Sequence, residues 1–320
     1  MGDQRASGMA VPAMSLTGVS PVFRPSRAKM ALRLTGKMPV LLTGKMPVLL
    51  MGKMPMLRRG KSGCYDGRAM TRGIFITGTC TGVGKTIAAA AVLRAARAAG
   101  IDAVPFKPVQ TGAVDGPEGL RAPDVEFCLA AAGLDASADE VRMMAPYLYK
   151  PACSPHLAGR IEGRPADFDT VRRCAEALLA RHDAVIVEGA GGVMVPLNES
   201  QTMLDLMAAL ALPVLVVAVN ALGTINHTLL TLSALRAAEL ECLGVVFNQP
   251  EAPAGLRPPR GADEFIRRDN PETIARFGRV AVLGCLPHVG DLAVGDSAGW
   301  ACVEAGFTGM AAILERLKAQ

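Results

Sequence analysis

The sequence predicts an α/β domain: a doubly wound, mostly parallel sheet with helices on both faces, three layers deep. Three observations lead there. Short apolar runs recur at 74–77, 101–106, 183–187, 213–219, 243–247 and 280–283, which makes at least six candidate strands. Most of them are separated by helix patterns, the alternation that builds parallel sheets. The run 213–219 is nearly all Val and Leu rather than alternating with polar residues, as a strand covered on both faces should be.

The run 74–77 enters a loop of small residues that ends in Gly84-Lys85-Thr86 and opens into an Ala-rich helix pattern, 85–99, with Gly100 as its stop. Strand, Gly-rich loop and helix N-terminus in that order form a phosphate cradle: loop amides and the helix dipole favour an anion. Lys85 can reach outer phosphates, and the Thr86 hydroxyl is placed to ligate magnesium. The spacing is one residue longer than usual, since Gly78 to Gly84 encloses five residues. Strand 101–106 then delivers Lys107 and the run Pro108-Val109-Gln110-Thr111-Gly112 at its carboxyl end, where open parallel sheets bind ligands. A second cation beside a phosphate loop points to phosphoryl transfer.

From 115 to 150 the chain turns polar and Gly/Pro-containing, with a helix predicted over 123–132 and Asp124 at its start. Cys153-Ser154-Pro155-His156 reads as loop, and a lone His such as His156 is more often structural than ligand-binding. Strand 183–187 runs into Glu188-Gly189-Ala190-Gly191-Gly192. A carboxylate there can hold a magnesium ion opposite Thr86, while the glycines let backbone amides approach a ligand. Strand 213–219 leads through Asn220 and a loop containing Asn226 and His227 to a helix predicted over 228–238. Strand 243–247 ends at Asn248-Gln249-Pro250, and strand 280–283 leads to Leu286-Pro287-His288. The Pro/Arg-rich stretch 250–261 reads as a surface loop.

Of the 320 residues, 50% are hydrophobic, enough for a sizeable core. Charge is uneven: residues 1–69 carry 12 Lys/Arg against 2 Asp/Glu, and residues 70–320 carry 22 against 27. The net +5 therefore misdescribes the globular part and gives no reason to infer nucleic-acid binding. Eight cysteines form no C-x-x-C pair and no Cys/His cluster with metal spacing, which fits reduced cytoplasmic thiols. Cys80 alone lies in the phosphate loop, where a small residue without a chemical role is the simpler reading. No apolar run reaches the length of a membrane span.

Residues 1–69 stand apart. Three tandem octads, TGKMPVLL twice and MGKMPMLR once, carry Gly and Pro in every unit, a period that suits neither helix nor strand. The segment is expected to be a disordered basic extension, with Met70 a candidate natural start and residues 70–320 the folded domain. A transit peptide is the rival reading, against which the Pro and Gly argue. Met1-Gly2 lacks the Ser or Thr that a myristoylation start would need at Ala6.

Taken together, the phosphate loop, Lys107 to Gly112, Gly119-Leu120-Arg121 with Asp124, Ser154-Pro155-His156, Glu162-Gly163-Arg164-Pro165, Val187 to Gly192 and Leu222 to Thr228 resemble dethiobiotin synthetase, a P-loop NTPase family. The similarity covers essentially residue 70 to the C-terminus. The resemblance implies an enzyme that uses ATP and magnesium to close the ureido ring of dethiobiotin on 7,8-diaminopelargonate and carbon dioxide, releasing ADP and phosphate. It implies that one amine becomes a carbamate, that the carbamate takes the γ-phosphoryl group, and that the second amine closes the ring.

Carried over by motif, the resemblance assigns Gly82, Val83, Gly84, Lys85, Thr86 and Ile87 to the phosphates. Lys107 and Lys85 become the catalytic cations; Thr86, Asp124 and Glu188 become the metal site. Gly189, Ala190 and Gly191 approach the ligands, with Gly191, Thr81 and Thr111 on the diamine. Asn248, Gln249, Pro287, His288 and Val289 line an adenine pocket. Asn226 reaches the substrate of a neighbouring subunit, which implies a homodimer. Two departures stand out: Cys80 replaces a small or acidic residue, and the family's carboxylate-contacting Tyr has no match here, Phe265 being nearest. The rival reading is a partition-type ATPase acting as a nucleotide-switched partner. Such proteins carry an extra Lys early in the loop, where this chain has Thr79 or Cys80. No glutaminase domain follows the last strand, and Asn248 lacks the Lys-x-Asp that reads guanine.

Overall fold

The structure, a computed structural model, describes residues 70, 72–117, 119–249, 264–290 and 292–319, all within one unit, Lys61–Gln320. The expected disordered extension 1–69 and the expected surface loop 250–261 lie outside the described residues. The strands are β1 Gly73–Gly78, β2 Ala103–Phe106, β3 Val109–Thr111, β4 Val114–Gly116, β5 Gly119–Arg121, β6 Tyr147–Tyr149, β7 Ala184–Gly192, β8 Val214–Val219, β9 Cys242–Asn248 and β10 Val282–Leu286. The helices are α1 Lys85–Ala98, α2 Pro123–Ala132, α3 Ala138–Met144, α4 Pro155–Ile161, α5 Phe168–Leu179, α6 Met203–Leu210, α7 Thr224–Ala237, α8 Glu264–Gly278, α9 Ser297–Gly306 and α10 Met310–Lys318.

Six strands form one parallel sheet in the order β10-β9-β8-β1-β7-β2. Alternate residues of its central strands feed two cores. Phe75, Val185, Val187, Val214 and Val216 face one side, against α5, α6, α7 and α8. Ile74, Ile76, Ile186, Leu215 and Val217 face the other, against α1, α2, α9 and α10. This is the expected three-layer, doubly wound arrangement. Helix α1 lies close over the sheet because its inward residues are alanines, Ala88 to Ala91 all being buried. On the same side Trp300 of α9 is fully buried, 6.1 Å from Phe127 and under the guanidinium of Arg94 at 4.9 Å. Trp300→Ala should therefore cost about 3–5 kcal/mol of stability in denaturant unfolding, the range for an emptied aromatic site. A loss below about 1 kcal/mol would mean that the side chain does not fill this core.

The small elements depart from expectation. The stretch 115–150 contains a hairpin, β4 with β5, a helix α3, and a strand β6 that pairs in parallel with β3 as a separate two-stranded sheet. Helix α7 begins at Thr224, four residues before the predicted start, so Asn226 and His227 lie in its first turn. Gly223, at φ 93°, supplies the cap; the β-branched Thr224 and Ile225 weaken the compositional signal there. Strand β10 runs to Leu286 rather than stopping at 283, because Gly284 continues it at φ 145°, where a Cβ would strike the Gly306 carbonyl. Among the described residues no single helix is long and apolar enough to cross a membrane.

Candidate active site

The carboxyl ends of the sheet strands carry the groups that sequence reading had singled out. After β1, the loop to α1 turns at Gly84, whose φ of 97° favours glycine. A Cβ at Gly84 would collide with the side-chain amide of Asn248, so the end of β9 packs directly onto the phosphate loop. Lys85 is 6% exposed and its Nζ donates to the Cys80 carbonyl at 3.0 Å, folded back over the loop. Burial lowers its pKa and the like charge of Lys107 lowers it further, against the opposing pull of Glu188 and Asp124.

Lys107 leaves β2 with its backbone N–H held by the Met144 carbonyl at 2.7 Å, which fixes where its side chain starts. Its Nζ lies 2.6 Å from Glu188 Oε1 and 2.7 Å from Asp124 Oδ2. Burial alone would lower its pKa, but the two carboxylates outweigh it and the pKa is raised. Asp124 comes from the first turn of α2 and Glu188 from β7, where it is 5% exposed. The Thr86 hydroxyl donates to the same Glu188 Oε1 at 3.0 Å. Thus Lys107, Asp124, Glu188 and Thr86, drawn from four elements, converge on one point beside Lys85.

That point opens on a cleft of about 790 Å³. From the phosphate loop it is lined by Thr81, Gly82, Gly84, Lys85, Thr86 and Ile87, and from the other elements by Lys107, Thr111, Asp124, Glu188, Ala190 and Gly191. Other assigned residues lie elsewhere. Val83 is buried in the core beneath the loop, and Gly189 is packed where a Cβ would meet Phe75 and Met203. Gln249 donates through Nε2 to Cys285 Sγ at 3.1 Å and through its backbone to the Leu286 carbonyl at 3.1 Å. Pro287 packs against Gly306, and His288 and Val289 follow at the end of β10. These residues sit at the strand ends beyond Asn248 rather than in the walls of the cleft. Asn226 is on the exposed side of α7, also outside it.

Sequence reading gave no role to Gln110, Cys153 and Ser154, all of which line the cleft. Gln110 and Ser154 lay inside motifs already noted, which was the available signal; nothing in the spacing marked the direction of their side chains. His156 is not among the lining residues; its backbone N–H donates to the Pro196 carbonyl at 3.2 Å.

Among the described residues no three His, Cys, Asp or Glu side chains group as a metal site. The donor set is instead two carboxylates and a hydroxyl, hard oxygens of the kind magnesium takes. The two carboxylates already hold one cation between them, the Lys107 ammonium, so the set fits a positive ion. The two lysines differ in how firmly they hold their protons. As pH rises, Lys85 should lose its charge below the ordinary lysine range while Lys107 keeps its own. The alkaline limb of kcat/KM for ATP should then be set by Lys85, and Lys85→Arg, whose charge does not titrate, should shift that limb to higher pH. A limb unmoved by Lys85→Arg would show that another group controls it.

An AAA domain family model matches residues 72–294. The ATP-dependent dethiobiotin synthetase BioD of Anaeromyxobacter sp. is 44% identical over 209 residues, covering 65% of this chain and 91% of that protein. That of Anaeromyxobacter dehalogenans is 46% identical over 204 residues, covering 64% and 88%. That of Halalkalibacterium halodurans is 34% identical over 225 residues, covering 70% and 87%. Among solved structures, the septum site-determining protein MinD complexed with Mg-ADP from Pyrococcus horikoshii matches at 17% identity and a TM-score of 0.46, covering 78% of this chain and 96% of that one. With relatives above 30% identity matched along most of their length, and the phosphate loop, paired lysines and paired carboxylates in one cleft, this chain belongs to the ATP-dependent dethiobiotin synthetase family.

Proposed function

We propose that the cleft joins carbon dioxide to the two amines of 7,8-diaminopelargonate, closing the ureido ring of dethiobiotin at the expense of ATP. The observation that carries this reading is Lys107, held between Asp124 and Glu188 beside Lys85 and opening toward Thr111. The reactants to be joined, a carbamate and a triphosphate, are both anions, and bringing them together calls for fixed positive charge rather than for a nucleophile.

In this reading the loop from Gly82 to Ile87 wraps the phosphates, with Lys85 over the outer ones. Lys107 offsets charge on the carbamate as its oxygen attacks the γ-phosphorus and ADP leaves. The second amine then attacks the carbamoyl carbon of the mixed anhydride, the ring closes and phosphate departs. Thr81, Thr111 and the Gly191 amide hold the diamine, and Asn248 with the residues at the end of β10 receives the adenine. Thr86, Asp124 and Glu188 would hold magnesium, which when bound neutralises phosphate oxygens. Charge on both lysines and closeness of the reacting atoms supply the acceleration.

We further read the protein as a cytoplasmic homodimer. Asn226 lies on α7 between Leu222 and Leu230, which are 86% and 62% exposed, an apolar setting that a second copy would cover. The seven described cysteines are free thiols, in keeping with a reducing compartment. The test is to supply the full chain with labelled bicarbonate, the diamine and ATP. Label should appear in a cyclic urea, and phosphate release should require both the carbon source and the diamine. Phosphate release that ignores the diamine would overturn the reading.

A further inference from the structure

Gln110 sits in β3 between Lys107 and Thr111, lines the cleft, and is 5% exposed. Its carboxamide is half used. Nε2 donates to the Thr111 carbonyl at 3.0 Å, whereas Oε1 is sealed from solvent and, among the described residues, accepts from none. Buried acceptors are nearly always met by a donor, and leaving one unmet costs free energy. The backbone cannot shift to relieve it. Strand β3 is locked to β6 in register, Gln110 opposite Leu148, and the Ala113 N–H closes the pairing on the Tyr149 carbonyl at 2.9 Å. The adjacent ammonium does not meet it either, since Lys107 Nζ sits on Asp124 and Glu188.

We propose that Gln110 is a specificity-determining residue for the amine end of the substrate, its carboxamide oxygen accepting an N–H from the bound diamine. The inference rests on the ring-closing reading above. The class of ligand follows from the missing partner: the oxygen needs a donor, and phosphate and carbamate oxygens are not donors, whereas an amine is. To meet that amine the carboxamide turns about its terminal bonds into the cleft it lines, exchanging the Nε2 bond to the Thr111 carbonyl at 3.0 Å for the substrate's N–H. The contact holds the nitrogen beside Lys107 and Thr111, where a carbamate on it meets the charge that Lys107 supplies. It also discriminates, since a site built to receive an N–H penalises an analogue carrying a carbonyl in that place by leaving two acceptors opposed.

The test is steady-state kinetics of the full chain with Gln110→Leu, which keeps the bulk and removes the polar end. KM for the diamine should rise about tenfold, with KM for ATP unchanged, since one hydrogen bond to substrate is lost. The unfolding midpoint should stay level or rise, because the unmet acceptor is gone. On wild type, a monoketone analogue of the diamine should compete at least about tenfold more weakly than the diamine itself, and that gap should shrink in Gln110→Leu. Should Gln110→Leu not fold, Gln110→Met serves in its place. Wild type that forms cyclic urea while the apolar variant keeps a diamine KM within about twofold overturns the inference alone and assigns the oxygen to a bound water. Wild type that forms no cyclic urea overturns the ring-closing reading and this inference with it.

Discussion

Replacing Lys107 with alanine should lower kcat by about two to three orders of magnitude while changing KM for ATP little, the loss found when one preorganised charge is removed from a developing anion. Among the described residues, Lys107 is the one side chain that forms an ion pair with both carboxylates of the cleft, at 2.6 and 2.7 Å. Its removal takes away the positive charge that faces the second reactant and leaves Glu188 and Asp124 to repel each other across the vacated space. Lys107→Arg should not restore turnover, because a planar guanidinium cannot occupy the compact position between two carboxylates from different elements. The lysine's stability contribution has a defined window. Its folded pKa lies above the ordinary lysine value, so the contribution is fully present at neutral pH and is lost only as pH climbs past that value through the raised one. Activity lost at neutral pH in Lys107→Ala is therefore not a titration effect in the wild type. Phosphate release measured with diamine and bicarbonate present decides the matter, and near-normal turnover would remove Lys107 from the chemistry.

The parts of this architecture that were legible in the sequence share a physical cause. Central strands such as β1 and β8 are covered on both faces, so they must be apolar throughout, and such runs stand out in any reading. The phosphate loop is legible because its constraints are local: a turn, a glycine at positive φ, a lysine and a hydroxyl at a helix start. Strands β3 and β6 have three residues each and carry no period to detect. The start of α7 hides behind Thr224, Ile225 and Asn226, whose helix propensity is low and whose helical state is set by packing of Thr224 and Thr228 against the sheet side. In the site, Lys107 and Glu188 stand 81 residues apart, and no spacing rule connects them. They are brought together because β2 and β7 are paired in parallel and both end at the same edge. Gln110 was beyond reach for a further reason: whether its carboxamide is satisfied depends on every neighbour at once.

Glu188→Gln should weaken metal binding by about one to two orders of magnitude and lower turnover in step, since it removes a full negative charge from a donor set that has only two. The substitution keeps the shape and one oxygen, so Thr86 can still donate to position 188, as it does at 3.0 Å in the wild type. Lys107 keeps Asp124 but loses its closer and more deeply buried partner, and its pKa should fall because burial is then opposed by one carboxylate instead of two. Breaking a buried ion pair in this way should cost about 3 kcal/mol of folding stability, the low end of the usual range because Asp124 remains. Calorimetric titration with magnesium or manganese separates these effects from catalysis. If the metal acts through Glu188, the binding isotherm weakens whether or not diamine is present. If the carboxylate serves only to anchor Lys107, the isotherm is unchanged while turnover still falls; the alkaline limb moves to lower pH in either case, because Glu188 also raises the pKa of Lys85. An isotherm and a pH profile both like the wild type's would leave Glu188 with no part in either role.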